Sequence, residues 1–269
     1  MRKQIHFFRH YVIALSLLFT ATGAYAQENE TNFTPHSGQE GKDVVWVPTP
    51  QALVDTMLNL AKVTSADYVI DLGSGDGRLV ITAAKRGATA LGIEYNPDMV
   101  ALAQRNAKEE GVSAKAKFEK ADIFETDFSK ATVVTLFLLT ELNVRLRPTI
   151  LDMKPGTRIV SNTFDMRDWE PDQTIEIFDE SPWNTANLWI VPAKVDGTWK
   201  LNRGQIKFTQ DFQKITGTLT LGDDETEIKG KLNGAKISFT AGSAEYTGTV
   251  NGNTISGTHS GGGSWKATR

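Results

Sequence analysis

Three glycines and an acid stand close together in VIDLGSGDGRLVI, residues 69 to 81. An apolar run passes through Asp71, turns at Gly73, Gly75 and Gly77, and re-enters an apolar pattern. A strand that ends in a glycine turn and leads into a helix leaves free backbone N–H groups at the carboxyl edge of a sheet, where open parallel sheets bind ligands. The dinucleotide fingerprint spaces its glycines G-x-G-x-x-G and lays a pyrophosphate on the helix start. Here the spacing is G-x-G-x-G, and Asp71 sits two residues before the first glycine. A carboxylate at that point repels a pyrophosphate but suits a ligand carrying an amino group and a sulfonium.

S-adenosylmethionine carries both positive charges and no phosphate, so it is the ligand this turn favours over NAD or a purely structural role. Glu94, in GIEYNP, falls about twenty residues after the loop, where an acid can accept from ribose hydroxyls. NAD-binding folds place an acid there too, so Glu94 alone does not discriminate. Asp122, in KADIF, is placed to accept from an adenine amino group, with Ile123 beside it to pack on the ring. The expected cofactor contacts are Thr49, Asp71, Gly73, Ser74, Gly75, Asp76, Gly77, Glu94, Tyr95, Asp122 and Ile123.

Methyl transfer from a sulfonium is an in-line displacement that needs collinear placement of the reacting atoms, roughly 3–3.5 Å apart, and no covalent enzyme residue. Groups expected at the mouth of the sheet are Thr49 and Pro50, then Thr140, Glu141 and Asn143, then Asn162, Asp165 and Trp169. Glu141, Asn143, Asn162 and Trp169 are the catalytic candidates among them. Each has a plainer role: Thr49 can cap its helix, Glu141 can simply favour a helix start, and Trp169 can pack. The chain has no cysteine, which excludes disulfides, a thiolate nucleophile and a cysteine zinc site. Its four histidines form no constellation and His259 reads as a turn residue, so metallohydrolase and triad chemistry are disfavoured and no metal is expected.

The elements that must hold these residues alternate between strand and helix from Trp46 to about Lys194, which implies a mainly parallel sheet covered on both faces. A helix with Thr49 as its cap precedes the strand DYVIDL. GRLVITAAKRG is a helix, ATALGIEY a strand, PDMVALAQRNAKEEG a helix and KAKFEKADIF holds a strand. The apolar ATVVTLFLL (131–139) is a fourth strand, ELNVRLRPTILDMKPG an interrupted helix, and TRIVSNTF, TIEIF and NLWIVPA close the sheet. After Asp196 the texture changes to seven short alternating segments, from QIKFT to SWKAT, separated by turns such as LNGA and VNGN. Such spacing makes a small antiparallel barrel or sandwich. Tyr246, Gly248 and Val250 share one face, as do Ile255 and Gly257, and inward glycines let a small barrel bend.

DLGSGDGR, the distal Glu94 and the ADIF acid together resemble the class I (seven-stranded) S-adenosylmethionine-dependent methyltransferases, over residues 46 to about 194. More narrowly, VPTP, DLGSGDGRLVI, VVTLFLL and LRP…MKPGTRIVS resemble a bacterial group related to mitochondrial-type protein lysine methyltransferases. The resemblance implies a Rossmann-like sheet of order 3-2-1-4-5-7-6 with the seventh strand antiparallel, S-adenosylmethionine as cofactor, S-adenosylhomocysteine as product, and a protein lysine or other amine as acceptor. It does not cover the all-β domain expected at 197–269.

The amino terminus carries a different signal. Basic Arg2, Lys3 and Arg9, the apolar run Tyr11 to Phe19 and the ending Ala24-Tyr25-Ala26 read as a secretory signal over 1–26, cut before Gln27, with an uncleaved anchor as the alternative. Cleavage removes three basic residues and no acid, taking the net charge from −3 to about −6. An acidic chain is a poor partner for nucleic-acid backbone, and no stable membrane span is expected after cleavage. Residues 27–45 read as a polar linker. Export to the periplasm or beyond is in tension with a cofactor made in the cytosol. The competing function is therefore a non-catalytic exported protein that binds an adenosyl ligand or an envelope partner.

Overall fold

The computed structural model describes residues 33–178 and 181–269; the expected signal segment, 1–26, lies outside the described residues. The sheet half of the chain begins with α1 (Gln51–Leu60), β1 (Tyr68–Leu72), α2 (Arg78–Lys85), β2 (Thr89–Glu94), α3 (Pro97–Glu109) and β3 (Ala116–Lys120). It continues with β4 (Val133–Leu136), α4 (Thr140–Leu151), β5 (Arg158–Asn162), β6 (Gln173–Glu176) and β7 (Thr185–Ile190). The strands lie in the order β3-β2-β1-β4-β5-β7-β6, with β7 antiparallel to both neighbours. Strand order reverses between β1 and β4, so the loops leaving their carboxyl ends diverge and open a crevice there.

Local chemistry sets these elements. Helix α1 buries Leu53, Val54, Met57 and Leu58, spaced to make one apolar stripe. It starts at Pro50 without a side-chain cap, and Thr49 is buried instead of capping it, contrary to the expectation. Helix α3 has Pro97 in its first turn, and the Asn96 side chain accepts from the Asp98 N–H at 2.9 Å. Helix α4 runs unbroken through Pro148 to Leu151, so the interruption expected within this segment is absent. The proline lies close to the end at Leu151, and Leu146 and Ile150, buried on the sheet, hold the helix on course. Helices α1, α2 and α3 cover one face; α4 and the segments around Phe128 and Trp169 cover the other.

Gly77 fixes the entry to α2. Its φ of +84° is left-handed, and a Cβ there would lie 2.7 Å from the Phe118 ring and 2.9 Å from Ala103 Cβ. Gly77→Ala is expected to destabilise the fold by about 1–3 kcal/mol, read as a lower urea midpoint with an unchanged slope.

The remainder is a closed antiparallel barrel: β8 (Gly197–Leu201), β9 (Gly204–Asp211), β10 (Lys214–Leu221), β11 (Asp224–Asn233), β12 (Lys236–Ala241), β13 (Ala244–Asn251), β14 (Thr254–His259) and β15 (Ser264–Thr268). Each strand pairs with the next, and β15 returns to β8 at Thr268–Lys200. Sequence segments identified seven of these strands. The eighth, GTWKL, closes the cylinder and carries the fully buried Trp199. Aromatic side chains including Phe208, Phe239 and Trp265 fill the interior. Gly257 shares the inner face with Ile255; a Cβ on it would fall 1.8 Å from the Thr247 carbonyl oxygen of the paired strand.

Candidate active site

The carboxyl ends of β1, β2, β3, β4 and β5 open onto one cavity of about 450 Å³ at the point where strand order reverses. The turn after β1 forms its floor: the Gly73 and Ser74 N–H groups both donate to the Ile93 carbonyl, which ties the turn to the end of β2. Asp71 is buried below this turn. Its carboxylate accepts from Thr135 Oγ1 on β4 at 2.6 Å and has no cation paired with it among the described residues. Burial pushes its pKa from the ordinary 3.8 up to about 7, with the nearby Glu94 and Asp76 adding to the rise and the Thr135 bond opposing it. Ser74 Oγ is also buried with no hydrogen-bond partner among the described residues.

The other acids are held by the backbone or by cations. Glu94 accepts from the Gly75 N–H at 3.0 Å through one oxygen and the Asn96 N–H at 2.9 Å through the other. Asp76 is paired with Arg78, whose guanidinium also donates to the Thr49 carbonyl at 2.6 Å. Asp122 accepts from Lys42 Nζ at 2.6 Å and from the Phe124 N–H at 2.9 Å; the Lys42 contact above all holds its carboxyl below the usual range.

Lys42 belongs to a segment expected to be linker. Part of that stretch instead folds over the cavity. Gln39 and Trp46 form an antiparallel bridge, and residues 39–49 line the site. The Trp46 indole lies so close to Gly75 that a Cβ there would come 2.6 Å from Nε1. Lys42 also stands 5.1 Å over the Tyr95 ring. Trp46, Lys42 and Val44, which packs against the core, dock this segment.

The structure gathers ten of the eleven expected cofactor contacts around the cavity: Thr49, Asp71, Gly73, Ser74, Gly75, Asp76, Glu94, Tyr95, Asp122 and Ile123. Gly77 is the exception; it faces Phe118 and Ala103 and shapes the turn from behind.

The catalytic candidates fare differently, and none lines the cavity. Glu141 is exposed and paired with Arg167 at 2.9 Å. The buried Asn143 Nδ2 donates to the Phe164 and Asp165 carbonyls at 3.2 and 3.1 Å. Asn162, also buried, donates to Thr49 Oγ1 at 3.2 Å and accepts from Thr163. Trp169 is fully buried between Trp189 and Phe212. Glu141, the Asn143 amide nitrogen and Asn162 are engaged in holding loops, while Asn143 Oδ1 and Trp169 Nε1 are buried with no hydrogen-bond partner among the described residues; none of the four lines the cavity, which corrects the expectation that they face a substrate.

Phe137, Phe164 and Trp183 occupy the place those candidates were assigned. Their ring centroids lie 6.1, 5.7 and 5.3 Å apart as a mutually packed trio on the cavity wall. Phe137 directly follows the end of β4 and Phe164 lies two residues past the end of β5, which is the signal that could have found them. Trp183 sits in the irregular connection between β6 and β7 and gave no periodic signal.

A buried acid without a cation, an unpartnered serine hydroxyl and two further carboxylates fit an adenosyl ligand with positive charge and no phosphate. The sheet order, the glycine turn and this acid end define an S-adenosylmethionine-dependent class I methyltransferase. Residues 71–173 match the ANTKMT methyltransferase domain model. A protein-lysine N-methyltransferase of Saccharolobus islandicus (strain REY15A) is 42% identical over 163 residues, covering 60% of this chain and 97% of that protein. A lysine N-methyltransferase for an ATP synthase subunit, from Xenopus laevis, is 28% identical over 171 residues, covering 63% of this chain and 68% of its own. A solved RNA methyltransferase from Salinibacter ruber, in complex with S-adenosylhomocysteine, is 47% identical, covers 55% of this chain and 96% of its own, and superposes with a TM-score of 0.53. The chain belongs to the family of S-adenosylmethionine-dependent methyltransferases that contains the Saccharolobus enzyme.

Proposed function

We propose that this enzyme methylates the ε-amine of a lysine presented by a protein. The observation that carries the reading is the division of one cavity into an acid end, around Asp71, Glu94 and Asp122, and an aromatic end, around Phe137, Phe164 and Trp183. The bound cofactor supplies an electrophilic methyl group on a sulfonium. Asp71, ionised on the arrival of a cation, holds the ligand's amino end; Glu94 accepts from the ribose hydroxyls; Asp122 accepts from the adenine amine, with Ile123 on the ring face.

At the other end Phe137, Leu138, Leu139, Leu142, Phe164 and Trp183 make an apolar wall. A lysine stem packs against such a wall, and π faces attract an ammonium or methylammonium group. The amine must be neutral to attack. Removal from water lowers its pKa, so the proton leaves to solvent as the side chain enters. The activities for which the Saccharolobus and Xenopus relatives are named support a protein lysine. The Salinibacter relative is named for RNA. An apolar mouth and a net charge of −3 favour the protein, because phosphate backbone is bound by basic surface.

The test is transfer of labelled methyl from S-adenosylmethionine to poly-L-lysine and, separately, to total RNA, followed by mass spectrometry. The expected product is ε-methyllysine. Label in RNA alone, or in neither, would overturn the lysine reading.

A further inference from the structure

The barrel touches the methyltransferase half at a segment that also reaches the cavity. The loop between β5 and β6 carries Phe164 at one end, on the aromatic wall, and Trp169 and Glu170 at the other. The turn between β9 and β10 meets that second end. Phe212 stacks on Trp169 with centroids 5.7 Å apart and planes 12° from parallel. Gln213 Nε2 donates to the Glu170 carbonyl at 2.8 Å, and Lys214 Nζ pairs with the Glu170 carboxylate at 2.7 Å. The Arg147 guanidinium lies over Phe212 at 5.2 Å while donating to the Met166 carbonyl and pairing with Asp168.

This loop is held in an uncommon backbone. Thr163 and Arg167 both have φ of +57°, and Phe212 has φ of +51°. Non-glycine residues persist in that region only where their surroundings over-determine them. From the helix side Asn143 supplies bonds to the Phe164 and Asp165 carbonyls. From the far side the barrel turn and Trp189, whose Nε1 donates to the Trp169 carbonyl at 2.7 Å, grip Trp169 and Glu170, and Trp169 itself is buried in the core cluster that also holds Met166 and Val191.

We propose that the barrel is a positioning element of the acceptor site: the Phe212–Lys214 turn sets the loop between β5 and β6, and through it Phe164. The inference rests on reading the aromatic end as the acceptor wall. Phe212, Gln213 and Lys214 are positioning residues, since none of them lines the cavity. The cofactor end draws on the turns after β1, β2 and β3, which the barrel turn does not hold, so the two functions of the cavity separate.

The experiment compares the full chain with Phe212→Ala, the milder Gln213→Ala, and the conservative Phe212→Tyr. Amide hydrogen exchange is followed over 163–170 and over the barrel strands. S-adenosylhomocysteine affinity and poly-L-lysine kinetics are measured on the same samples. The expected result is exchange at least tenfold faster in 163–170 with barrel protection retained, and a dissociation constant for S-adenosylhomocysteine within twofold of the wild type. kcat/KM for poly-L-lysine should fall at least tenfold, carried mainly by KM, with recovery in Phe212→Tyr. If Phe212→Ala does not fold, Gln213→Ala is read by the same criteria, with a threefold threshold. Unchanged exchange in 163–170, or an equal loss of cofactor affinity, would overturn the proposal. A wild type that transfers nothing to poly-L-lysine would count against the amine reading instead, and the exchange result then decides the coupling by itself.

Discussion

Replacing Asp71 by asparagine is expected to raise the melting temperature of the ligand-free protein and remove its affinity for S-adenosylmethionine. The buried carboxyl has a pKa of about 7 against an ordinary 3.8, so the folded state favours the protonated form. The contribution of that preference is complete below about pH 4 and is lost as pH rises through about 7. A shift of this size corresponds to roughly 4 kcal/mol of cost at neutral pH. Asparagine carries no charge and can still accept from Thr135 Oγ1, so it recovers part of that cost. A gain of about 3–8 °C is expected at pH 8, shrinking to nothing at pH 4, measured by thermal scans across that range.

The same acid makes cofactor binding pH-dependent. The ligand's positive charge is best paired with ionised Asp71, which must give up its proton below pH 7. The wild-type dissociation constant should rise about tenfold for each pH unit below 7 and level off above it. In Asp71→Asn that slope should vanish and binding should weaken by at least about a hundredfold at pH 8, in line with losing one partner of a buried charge pair. Calorimetry at pH 6 and 8 checks both. A variant that binds as tightly as the wild type would remove Asp71 from the site.

The second large effect concerns the aromatic end. Phe164→Ala combined with Trp183→Ala removes two of the three rings that pack together on the wall. Loss of two π faces and of the water exclusion they provide should lower kcat/KM toward a lysine acceptor by about a hundredfold, or near 3 kcal/mol in transition-state stabilisation. The dissociation constant for S-adenosylhomocysteine should stay within about threefold, because the two rings belong to the segments after β5 and β6, whereas Asp71, Glu94 and Asp122 stand at the ends of β1, β2 and β3. Steady-state kinetics with calorimetry on the same preparation separates the two. A parallel loss of cofactor affinity would mean that the trio belongs to the adenosyl end.

What could be read from sequence was the part governed by local requirements. A left-handed turn demands glycine, and a cationic ligand demands an acid beside it, so 71–77, Glu94 and Asp122 declared themselves by residue type and spacing. The strand and helix order followed from hydrophobic period. Non-local contacts were hidden. The stretch expected to be linker, 27–45, is largely polar, and contacts made far along the chain, Lys42 meeting Asp122 and the neighbouring Trp46 meeting Gly75, turn its end into a cover. The first barrel strand, Gly197–Leu201, acquires its meaning from closure against Thr268. Asn143 and Asn162 looked available because polarity near a sheet edge suggests chemistry, whereas burial committed their amide nitrogens to loop carbonyls and Thr49. Phe137 and Phe164 passed as ordinary apolar strand ends.

The most direct test of the divided cavity is a crystal structure of the chain with S-adenosylhomocysteine. The ligand's amino end is expected at Asp71, its ribose at Glu94, its adenine beside Ile123 and Asp122, and its sulfur facing Phe137, Phe164 and Trp183. An adenosyl group seated elsewhere, or a sulfur turned away from the aromatic wall, would contradict the division.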